Sequence, residues 1–328
     1  MTTVLLLGAG AVGARAALQL VEADDVDEVV VVDPDGERRS GVVRSSGTKA
    51  TDGGGVADPT ADVDAVLIAG PNGSHVTAAR HHVALGRPVV SCADSIDDVE
   101  GLLALGPEAE ESGASVVVGA GFSPGYTCLL ARHAAASFDT VDEIHIARSG
   151  TGGPACARAH HAALTGTAID WRDGHWQRRT AGSGRELCWF PDPIGPEDCY
   201  RAELPDALLI VREFADVARV TARLAATRRD RITAHLPMLR KPHPEGLVGA
   251  VRVEVRGKRG GVQDTKVLGA LDRPAVAAGA VATLALRWAL HGRIPAGAAG
   301  LAAIADPVPF LTELAQLGIK AATFEGGT

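Results

Sequence analysis

Three glycines near the amino terminus, Gly8, Gly10 and Gly13, have the spacing of a turn that binds phosphate. They follow a short apolar run and precede an alanine-rich segment, a pattern that predicts a buried strand, a tight turn and a helix. A side chain at the first glycine would block the turn, one at the second would hold the backbone away from a pyrophosphate, and the third lets the helix pack closely on the strand. Because the N–H groups and the dipole of a helix start attract phosphate, we predict a dinucleotide site here that includes Ala11 and Val12.

A carboxylate, Asp33, follows the second apolar run, at the distance where it can accept hydrogen bonds from the adenosine ribose hydroxyls. It would repel a 2′-phosphate and therefore favours NAD. Arg38 and Arg39, a few residues later, can surround such a phosphate or belong to a solvated loop. The sequence thus predicts NAD or NADP as the cofactor, with NAD preferred.

Three further loops follow buried strands, and we expect them beside the cofactor because the carboxyl ends of parallel strands line the ligand crevice. His75 has two interpretations: it caps or packs at the start of the next helix, or it contacts the nicotinamide ribose or the substrate. The candidate cofactor contacts in these loops are Gly70, Pro71, Asn72 and His75, then Cys92 and Asp94, and finally Gly121, Phe122, Ser123, Pro124 and Gly125.

Chemistry on a nicotinamide cofactor needs the protein to hold the substrate and to move one proton. Arginine suits a substrate carboxylate, and histidine suits the proton. The densest supply of both is Arg148, at a predicted strand end, with His160 and His161 in the following helix. Adjacent helical residues point about 100° apart, so we expect only one of the two histidines to reach a ligand, and surface or packing roles stay open for both. Arg185, Arg240 and Lys241 are weaker candidates.

The elements that position these residues fall into two patterns. Apolar runs alternate with helical segments as far as the loop at 121–125, which predicts an α/β, doubly wound Rossmann domain. Beyond it, apolar residues recur with a period near two, as in strands with one buried face, and predict an inserted α+β domain with a mostly antiparallel or mixed sheet. These period-two segments are Val141–Arg148, Val217–Leu224, Gly249–Arg256 and Val262–Leu271.

We place the dinucleotide-binding domain at residues 1–122 and 274–328 and the substrate or oligomerisation domain at 123–273. In this division the carboxyl-terminal helices pack back on the first domain, and the inserted domain closes the substrate cleft. Between the first two period-two strands lies a tract with three of the four tryptophans, Trp171, Trp176 and Trp189, which is either a long insertion pinned by aromatic packing or a pocket wall.

Composition narrows the class of protein. The net charge of −8 argues against a nucleic-acid partner, and no apolar segment approaches membrane-spanning length. The five cysteines include no C-x-x-C pair, which favours reduced thiols, no metal site and a cytoplasmic location. Arginines on the polar faces of two predicted strands suit a solvated face or an oligomer interface, and we expect a homodimer that stacks two such sheets across a two-fold axis. They are Arg219, Arg223, Arg252 and Arg256.

Taken together, the fingerprint from Gly8 to Asp33, the strand and turn over residues 64–75, the Gly121–Gly125 loop and the alanine-rich terminal helix resemble the saccharopine dehydrogenase-like reductases. The turn from Asn72 to His75 is also similar to that of the glucose-fructose oxidoreductase and inositol dehydrogenase superfamily. The likeness covers the dinucleotide-binding part and fades over residues 150–201.

The resemblance implies an NAD(P)-dependent enzyme that reduces an imine, formed from an amine and a keto acid, or oxidises an amino-acid amine. Sugar dehydrogenases place a catalytic lysine in a Glu-Lys-Pro motif after the fifth strand. This chain has Ser91-Cys92-Ala93-Asp94 there, which weakens a sugar or polyol dehydrogenase assignment and is closer to the saccharopine side. A nucleotide-binding redox sensor without turnover is the remaining alternative, because the sequence identifies no unambiguous proton donor.

Overall fold

The computed structural model describes residues 1–57, 62–238 and 241–324 and divides the chain into two compact units. The first unit contains Met1–Gly121 and Ala275–Gly300. The second contains Phe122–Pro274 and the described residues from Leu301 onward. Each unit is built on its own β-sheet.

The secondary-structure elements are numbered along the described part of the chain. The strands are β1 Thr3–Leu7, β2 Glu28–Val32, β3 Ala50–Asp52, β4 Ala65–Ile68, β5 Val89–Ser91, β6 Ser115–Val118, β7 Thr140–Ser149, β8 Thr167–Arg172, β9 His175–Thr180, β10 Glu186–Trp189, β11 Pro196–Arg201, β12 Arg219–Ala225, β13 Gly249–Arg259, β14 Val262–Asp272, β15 Gly297–Ala299 and β16 Ala321–Phe324. The α-helices are α1 Ala11–Glu22, α2 Gly36–Ser45, α3 His75–Ala84, α4 Ile96–Leu103, α5 Gly106–Ser112, α6 Tyr126–Ala135, α7 Pro154–Ala163, α8 Asp206–Val211, α9 Arg228–Thr233, α10 Pro274–Leu290 and α11 Val308–Gln316.

The sheet of the first unit has the strand order β15-β6-β5-β4-β1-β2-β3, and every pair in it is parallel. Its central strands are short runs of valine, leucine and isoleucine, and β4 is buried along its whole length. Such runs have no polar face because helices cover both sides of a parallel sheet. The predicted doubly wound Rossmann arrangement is confirmed, with the order of the strands reversing between β1 and β4.

Small residues let two helices of this unit approach closely. A Cβ at Gly279 of α10 would lie 2.8 Å from the Cβ of Arg15 and 3.0 Å from the backbone nitrogen of Ala16 in α1. At the far end of α10, Arg287 donates to the carboxylate of Asp25 at 2.8 Å. The helix that follows the second sheet in sequence is therefore part of the first unit.

The sheet of the second unit is mixed, as predicted. The described strands run in the order β10-β11-β12-β7-β13-β14-β16, with β8 attached to β12 and β9 attached to β8. Strand β7 pairs with β12 in parallel. Alternation along β7 separates two faces: Ile144 and Ile146 are buried on one, and Glu143 and His145 lie on the other. Helix α6 packs on β7, β13 and β14.

A buried ion network joins three strands of the second sheet. Asp170 of β8 accepts hydrogen bonds from Arg223 of β12 and from Arg201 of β11, both at 3.0 Å. The side chain of Arg223 is only 4% exposed, so its charge depends on this carboxylate. The arginine at 223, expected on a solvated or oligomeric face, is thus a buried member of the sheet.

Three predictions about local structure differ from what is observed. The residues after Leu301 do not join the first unit, since β16 pairs with β14 of the second sheet. The sequence pattern over residues 96–112 predicts a single helix, whereas the structure has two helices there, α4 and α5. The tract with three tryptophans forms strands β8 to β11. The glycine-, serine- and charge-rich segment 34–62 predicts loops around one short strand or helix, and its described residues contain both α2 and β3, while 58–61 lie outside the described residues.

Among the helices of the described residues, none has both the length and the hydrophobicity required to cross a bilayer.

Candidate functional site

The turn between β1 and α1 has the geometry of a phosphate-binding loop. Gly8 adopts φ +105°, and a Cβ there would lie 2.6 Å from the carbonyl oxygen of Ala69. A Cβ at Gly13 would lie 1.8 Å from the carbonyl oxygen of Gly8, so this glycine lets α1 pack on the turn. Both glycines are therefore required by the fold of the first unit itself.

Gly10 differs from its two neighbours. It is the N-cap of α1 with no side-chain cap, and its φ of −73° suits any residue. A Cβ placed on it would meet nothing within 4 Å among the described residues. The protein alone does not need a glycine here, whereas a pyrophosphate resting on the N–H groups of Ala11 and Val12 would. This open cradle fits a dinucleotide.

The carboxylate of Asp33, at the end of β2, lies against the same turn. It is 5% exposed as a residue, and it accepts hydrogen bonds from the backbone N–H groups of Ala9 at 2.7 Å and Asp35 at 2.8 Å. Arg38 pairs with Asp33 at 3.2 Å and with Asp35 at 3.0 Å. Arg39 donates to the backbone carbonyl of Asp33 at 2.6 Å. Asp33, the residue predicted to bind the ribose, is thus held in place by the glycine turn and by two arginines.

His75 is held behind the loop that follows β4. Its ring is 1% exposed, and with Nε2 donating to the carbonyl of Gly70 at 3.1 Å, Nδ1 accepts from the hydroxyl of Ser91 at 2.8 Å. The Ser91 oxygen in turn accepts from the backbone N–H of Ala93 at 3.1 Å. Burial lowers the pKa of His75, so the ring stays neutral. His75 therefore connects the ends of β4 and β5. Both of its ring nitrogens are used in these hydrogen bonds, which favours the packing role over contact with a ligand.

The turn Pro71–Ser74 is held in place by the buried carboxylate of Asp98. Asp98, 3% exposed, accepts from the backbone N–H of Gly73 at 2.6 Å and from the hydroxyl of Ser95 at 3.0 Å. The Ser74 hydroxyl donates to the carbonyl of Pro71 at 2.6 Å. Asn72, on the exposed side of this turn, is left at the carboxyl edge of the sheet.

Cys92 and Asp94 follow β5, at the same edge. Burial, reinforced by the negative charge of Asp94, raises the pKa of the Cys92 thiol to about 12, so this sulfur is not a nucleophile near neutral pH. Its Sγ lies 3.7 Å from the carbonyl oxygen of Ala120, next to Gly121. These residues define the edge along which a cofactor would extend in the first unit.

The other four residues of the predicted 121–125 loop belong to the second unit. Phe122 stacks on Tyr126 with ring centroids 6.1 Å apart, and Gly125 caps α6 with φ +118°, while Pro124 precedes it. The Ser123 hydroxyl donates to Asp206 at 2.6 Å. The observed contacts of Phe122 and Ser123 are thus made to residues of the second unit, and we propose their contact with a cofactor from the sequence pattern alone.

Arg148 and His160 come together in the second unit. Arg148 is 4% exposed and donates from Nη1 to the carbonyl of Ser123 at 2.5 Å. Burial, followed by the positive charge of Arg148, lowers the pKa of His160 well below its usual value. The imidazole is therefore neutral, and its lowered pKa makes it a weak base as long as no anion offsets the charge of Arg148 beside it. The Sγ of Cys156, one turn earlier in α7, lies 3.4 Å from its Nε2.

His161 points elsewhere, as expected for an adjacent helical residue. Its Nε2 lies 2.8 Å from the carbonyl oxygen of Leu236, so this ring is engaged by the 228–238 segment. Of the weaker candidates, Arg185 pairs with Asp198 at 2.8 Å, Lys241 is exposed, and Arg240 lies outside the described residues. His160 and Arg148 are the pair that the fold brings together.

Sequence reasoning did not identify Asp206, Ser91 or Asp98. Asp206 is fully buried, and 83 residues separate it from the serine that it binds, so no local spacing connects them. A usable signal exists for Asp98, which follows Ser95 by three residues in the pattern of a helix cap. For Ser91 the signal is its position as the polar last residue of an apolar strand, because the carboxyl ends of parallel strands line the ligand crevice.

No protein-family model matches the chain, and no curated protein sequence matches it significantly. Solved structures do match in fold. Saccharopine dehydrogenase (L-Glu forming) from Saccharomyces cerevisiae aligns with a TM-score of 0.73 at 17% identity, covering 99% of this chain and 100% of that chain.

Two other structures align over a similar span. A myo-inositol dehydrogenase from Corynebacterium glutamicum has a TM-score of 0.50 at 15% identity and covers 100% of both chains. The C. glutamicum DAP dehydrogenase in complex with DAP has a TM-score of 0.50 at 15% identity, covering 95% of this chain and 98% of that chain. The expected likeness to both dehydrogenase groups is thus confirmed at the level of the fold.

Proposed function

We propose that this protein is an NAD(P)-dependent oxidoreductase that reduces an imine next to a carboxylate, or oxidises the corresponding amino-acid amine. The observation that carries the nucleotide part is the open cradle at Gly10, where the absence of a side chain serves no contact within the described protein. The fold shared with saccharopine dehydrogenase and DAP dehydrogenase supports the reaction class.

In this proposal the N–H groups at the start of α1 bind the pyrophosphate, and Asp33 accepts from the adenosine ribose through its remaining lone pairs. The bound nicotinamide supplies or accepts the hydride. We keep NAD as the preferred cofactor, because the charge of Arg38 is already compensated by Asp33 and Asp35. A 2′-phosphate would add negative charge beside these two carboxylates.

The second unit supplies the groups for the substrate. The guanidinium of Arg148 binds the carboxylate, for which a planar fork of donors is well suited. His160 accepts the proton that leaves the amine on oxidation and returns it on reduction; the carboxylate of the bound substrate offsets the Arg148 charge that otherwise lowers the pKa of this ring.

A polyol dehydrogenase is the runner-up, supported by the fold shared with myo-inositol dehydrogenase. The residues after β5 count against it. Ser91, the last residue of β5, is engaged with His75 and Ala93, and the residues that follow it, Cys92-Ala93-Asp94, include no lysine to act on a hydroxyl.

We also propose a homodimer formed through the polar face of the second sheet. Glu143, Arg219 and Arg256 lie on that face with 28%, 37% and 48% of their side chains exposed, in ion pairs that a two-fold partner can extend. Sedimentation equilibrium tests this. The five free thiols support a reducing, cytoplasmic compartment.

The test of function measures NADH absorbance with a panel of amino acids, amine and keto-acid pairs, and polyols, beside calorimetric titration of the four nicotinamide nucleotides. We expect saturable binding, turnover with an amine and keto-acid pair, and loss of nucleotide affinity by at least about tenfold in Gly10→Ala. Turnover only with polyols would establish the runner-up. Binding without turnover on any pair would indicate a nucleotide sensor, and absence of binding would refute the proposal.

A further inference from the structure

A buried carboxylate in the second unit has no role in the reaction proposed above. Asp206, the first residue of α8, has 0% of its surface exposed. Its Oδ1 accepts a 2.6 Å hydrogen bond from the Ser123 hydroxyl and a longer one, 3.4 Å, from Thr127. Removing a carboxylate from water is costly, so a buried one persists where its hydrogen bonds or a compensating charge stabilise it.

Ser123 connects this carboxylate to the proposed substrate arginine. While its hydroxyl donates to Asp206, its backbone carbonyl accepts from Nη1 of Arg148 at 2.5 Å. A negative and a positive side chain, both at least nine-tenths buried, are therefore linked through one residue. Three elements meet in this link: the loop before α6, strand β7 and the start of α8.

Two atoms of the link lack partners. The Nε of Arg148 and the Oδ2 of Asp206 are buried and have no hydrogen-bond partner among the residues that the structure describes. Buried polar groups are normally satisfied, and an unsatisfied one costs about 1–3 kcal/mol. Because both atoms are enclosed by protein, the bonds through Ser123 fix this arginine and this carboxylate, and a ligand would meet the Nη edge of the guanidinium.

We infer that Asp206 is a positioning residue: through Ser123 it holds the guanidinium of Arg148 in the orientation that binds a substrate carboxylate. This inference rests on the proposed function for its substrate class. The carboxylate of Asp206 holds the Ser123 hydroxyl and so fixes the loop that contains this serine. The backbone carbonyl of Ser123 then accepts from Nη1 of Arg148, which leaves the other donors of the guanidinium for the substrate carboxylate. Asp206 touches neither substrate nor cofactor.

The test uses glutarate as a carboxylate probe and glutaramide as its neutral counterpart, titrated into the full-length protein in the presence of NADH. We expect Asp206→Asn to weaken glutarate binding about tenfold, as for loss of a charge-assisted hydrogen bond, and to leave glutaramide and NADH affinities unchanged. With the amine and keto-acid pair, KM for the keto acid should rise about tenfold while kcat changes less than about threefold. Thr127→Val is the matched control and should stay within about threefold of wild type in each measurement.

A double-mutant cycle separates positioning from general loosening of the fold. In the Arg148→Met background, Asp206→Asn should have no further effect on glutarate affinity, since the two residues act through one link. If Asp206→Asn does not fold, as judged by circular dichroism and thermal unfolding, Ser123→Ala breaks the same link from the other side and should give the same loss.

The outcomes distinguish this inference from the proposed function. Wild-type protein that binds glutarate but turns over no pair would remove the reaction and leave the positioning role measurable by binding. Equal affinities in wild type and Asp206→Asn, additive effects in the cycle, or absence of glutarate binding in wild type would each overturn the positioning role.

Discussion

The backbone N–H of Ala9 donates a 2.7 Å hydrogen bond to the carboxylate of Asp33, and this bond ties the phosphate-binding turn to the end of β2. The same carboxylate accepts from Asp35 N–H and pairs with Arg38. A residue expected to recognise a ribose thus also holds the turn that binds the pyrophosphate. Affinity for the nucleotide and stability of the first unit should therefore change together when it is replaced.

Asp33→Asn should lower both quantities. The side-chain amide of the new asparagine would place an N–H donor against the backbone N–H of either Ala9 or Asp35, which should lower the free energy of unfolding by about 1–3 kcal/mol. NADH affinity should fall about tenfold. Urea denaturation and calorimetry measure the two effects. The control is Asp35→Asn, in which the exposed N-cap of α2 keeps an acceptor and stability should not change. A tighter NADH complex in Asp33→Asn would contradict the assignment.

Gly13→Ala should destabilise the fold, whereas Gly10→Ala should not. The added methyl at Gly13 would lie 1.8 Å from the carbonyl oxygen of Gly8, so α1 must move, at a cost of about 3 kcal/mol or more. At Gly10 the methyl meets nothing, and only nucleotide binding should suffer. Thermal unfolding without nucleotide checks this contrast. Equal melting temperatures for the two variants would show that the close approach at Gly13 is relieved elsewhere.

Stability should fall as the pH falls from about 6.5 to about 4. Burial, with the charges of Arg87 and His81, lowers the pKa of His82 to about 4, while the unfolded chain binds a proton near pH 6.5. Between about pH 4 and pH 6.5 the unfolded state therefore binds more protons than the folded state. On account of His82 alone, the free energy of unfolding should be about 3 kcal/mol lower below this pH range than above it. Chemical denaturation at several pH values measures the slope.

His82→Gln should flatten that slope. The part that remains includes the contributions of four other histidines whose pKa values are lowered by burial, His75, His133, His145 and His160. His175→Gln, at an exposed position, serves as the control and should keep the wild-type slope. A slope in His82→Gln identical to that of wild type would refute the assignment.

Asp170→Asn should be among the most damaging changes in the second unit. It removes the charge that compensates Arg223, whose side chain is 4% exposed, and breaking one partner of a buried pair costs about 3–5 kcal/mol. Pairing Asp170→Asn with Arg223→Met should recover part of the loss, since the buried charge of Arg223 is then gone and only Arg201, whose side chain is 25% exposed, lacks its carboxylate. Differential scanning calorimetry of the single and double variants tests this. A double variant less stable than either single one would exclude charge compensation as the cause.

Sequence patterns identified the elements whose signal is local. The glycine spacing from Gly8 to Gly13 and the fully apolar runs define the first sheet, because a strand buried on both faces must be apolar throughout. The period-two segments correctly predicted the core strands of the second sheet, but the expectation that only one face is buried was wrong for β12 and for most of β13. Their polar residues, such as Arg223 and Glu254, are buried in ion pairs.

What sequence reasoning missed depends on contacts between distant residues. Strand β9 is almost entirely exposed and so carries no alternation, which is why the tryptophan tract was not recognised as strands. The four residues of β16 are too short to be informative and pair only because β14 offers an edge. In the site, the pair of Arg148 and His160 could be named in advance, whereas Asp206 required the folded chain to bring α8 against Ser123.

The placement of β15 and β16 has a consequence for synthesis of the chain. Each sheet receives an outermost strand from the last part of the sequence, β15 beside β6 and β16 beside β14. During translation, both sheets therefore present an unpaired backbone edge to the ribosome exit and to other nascent chains until residues 297–299 and 321–324 emerge. Unpaired edges are templates for association between chains, so docking of these two strands covers one edge of each sheet against such pairing.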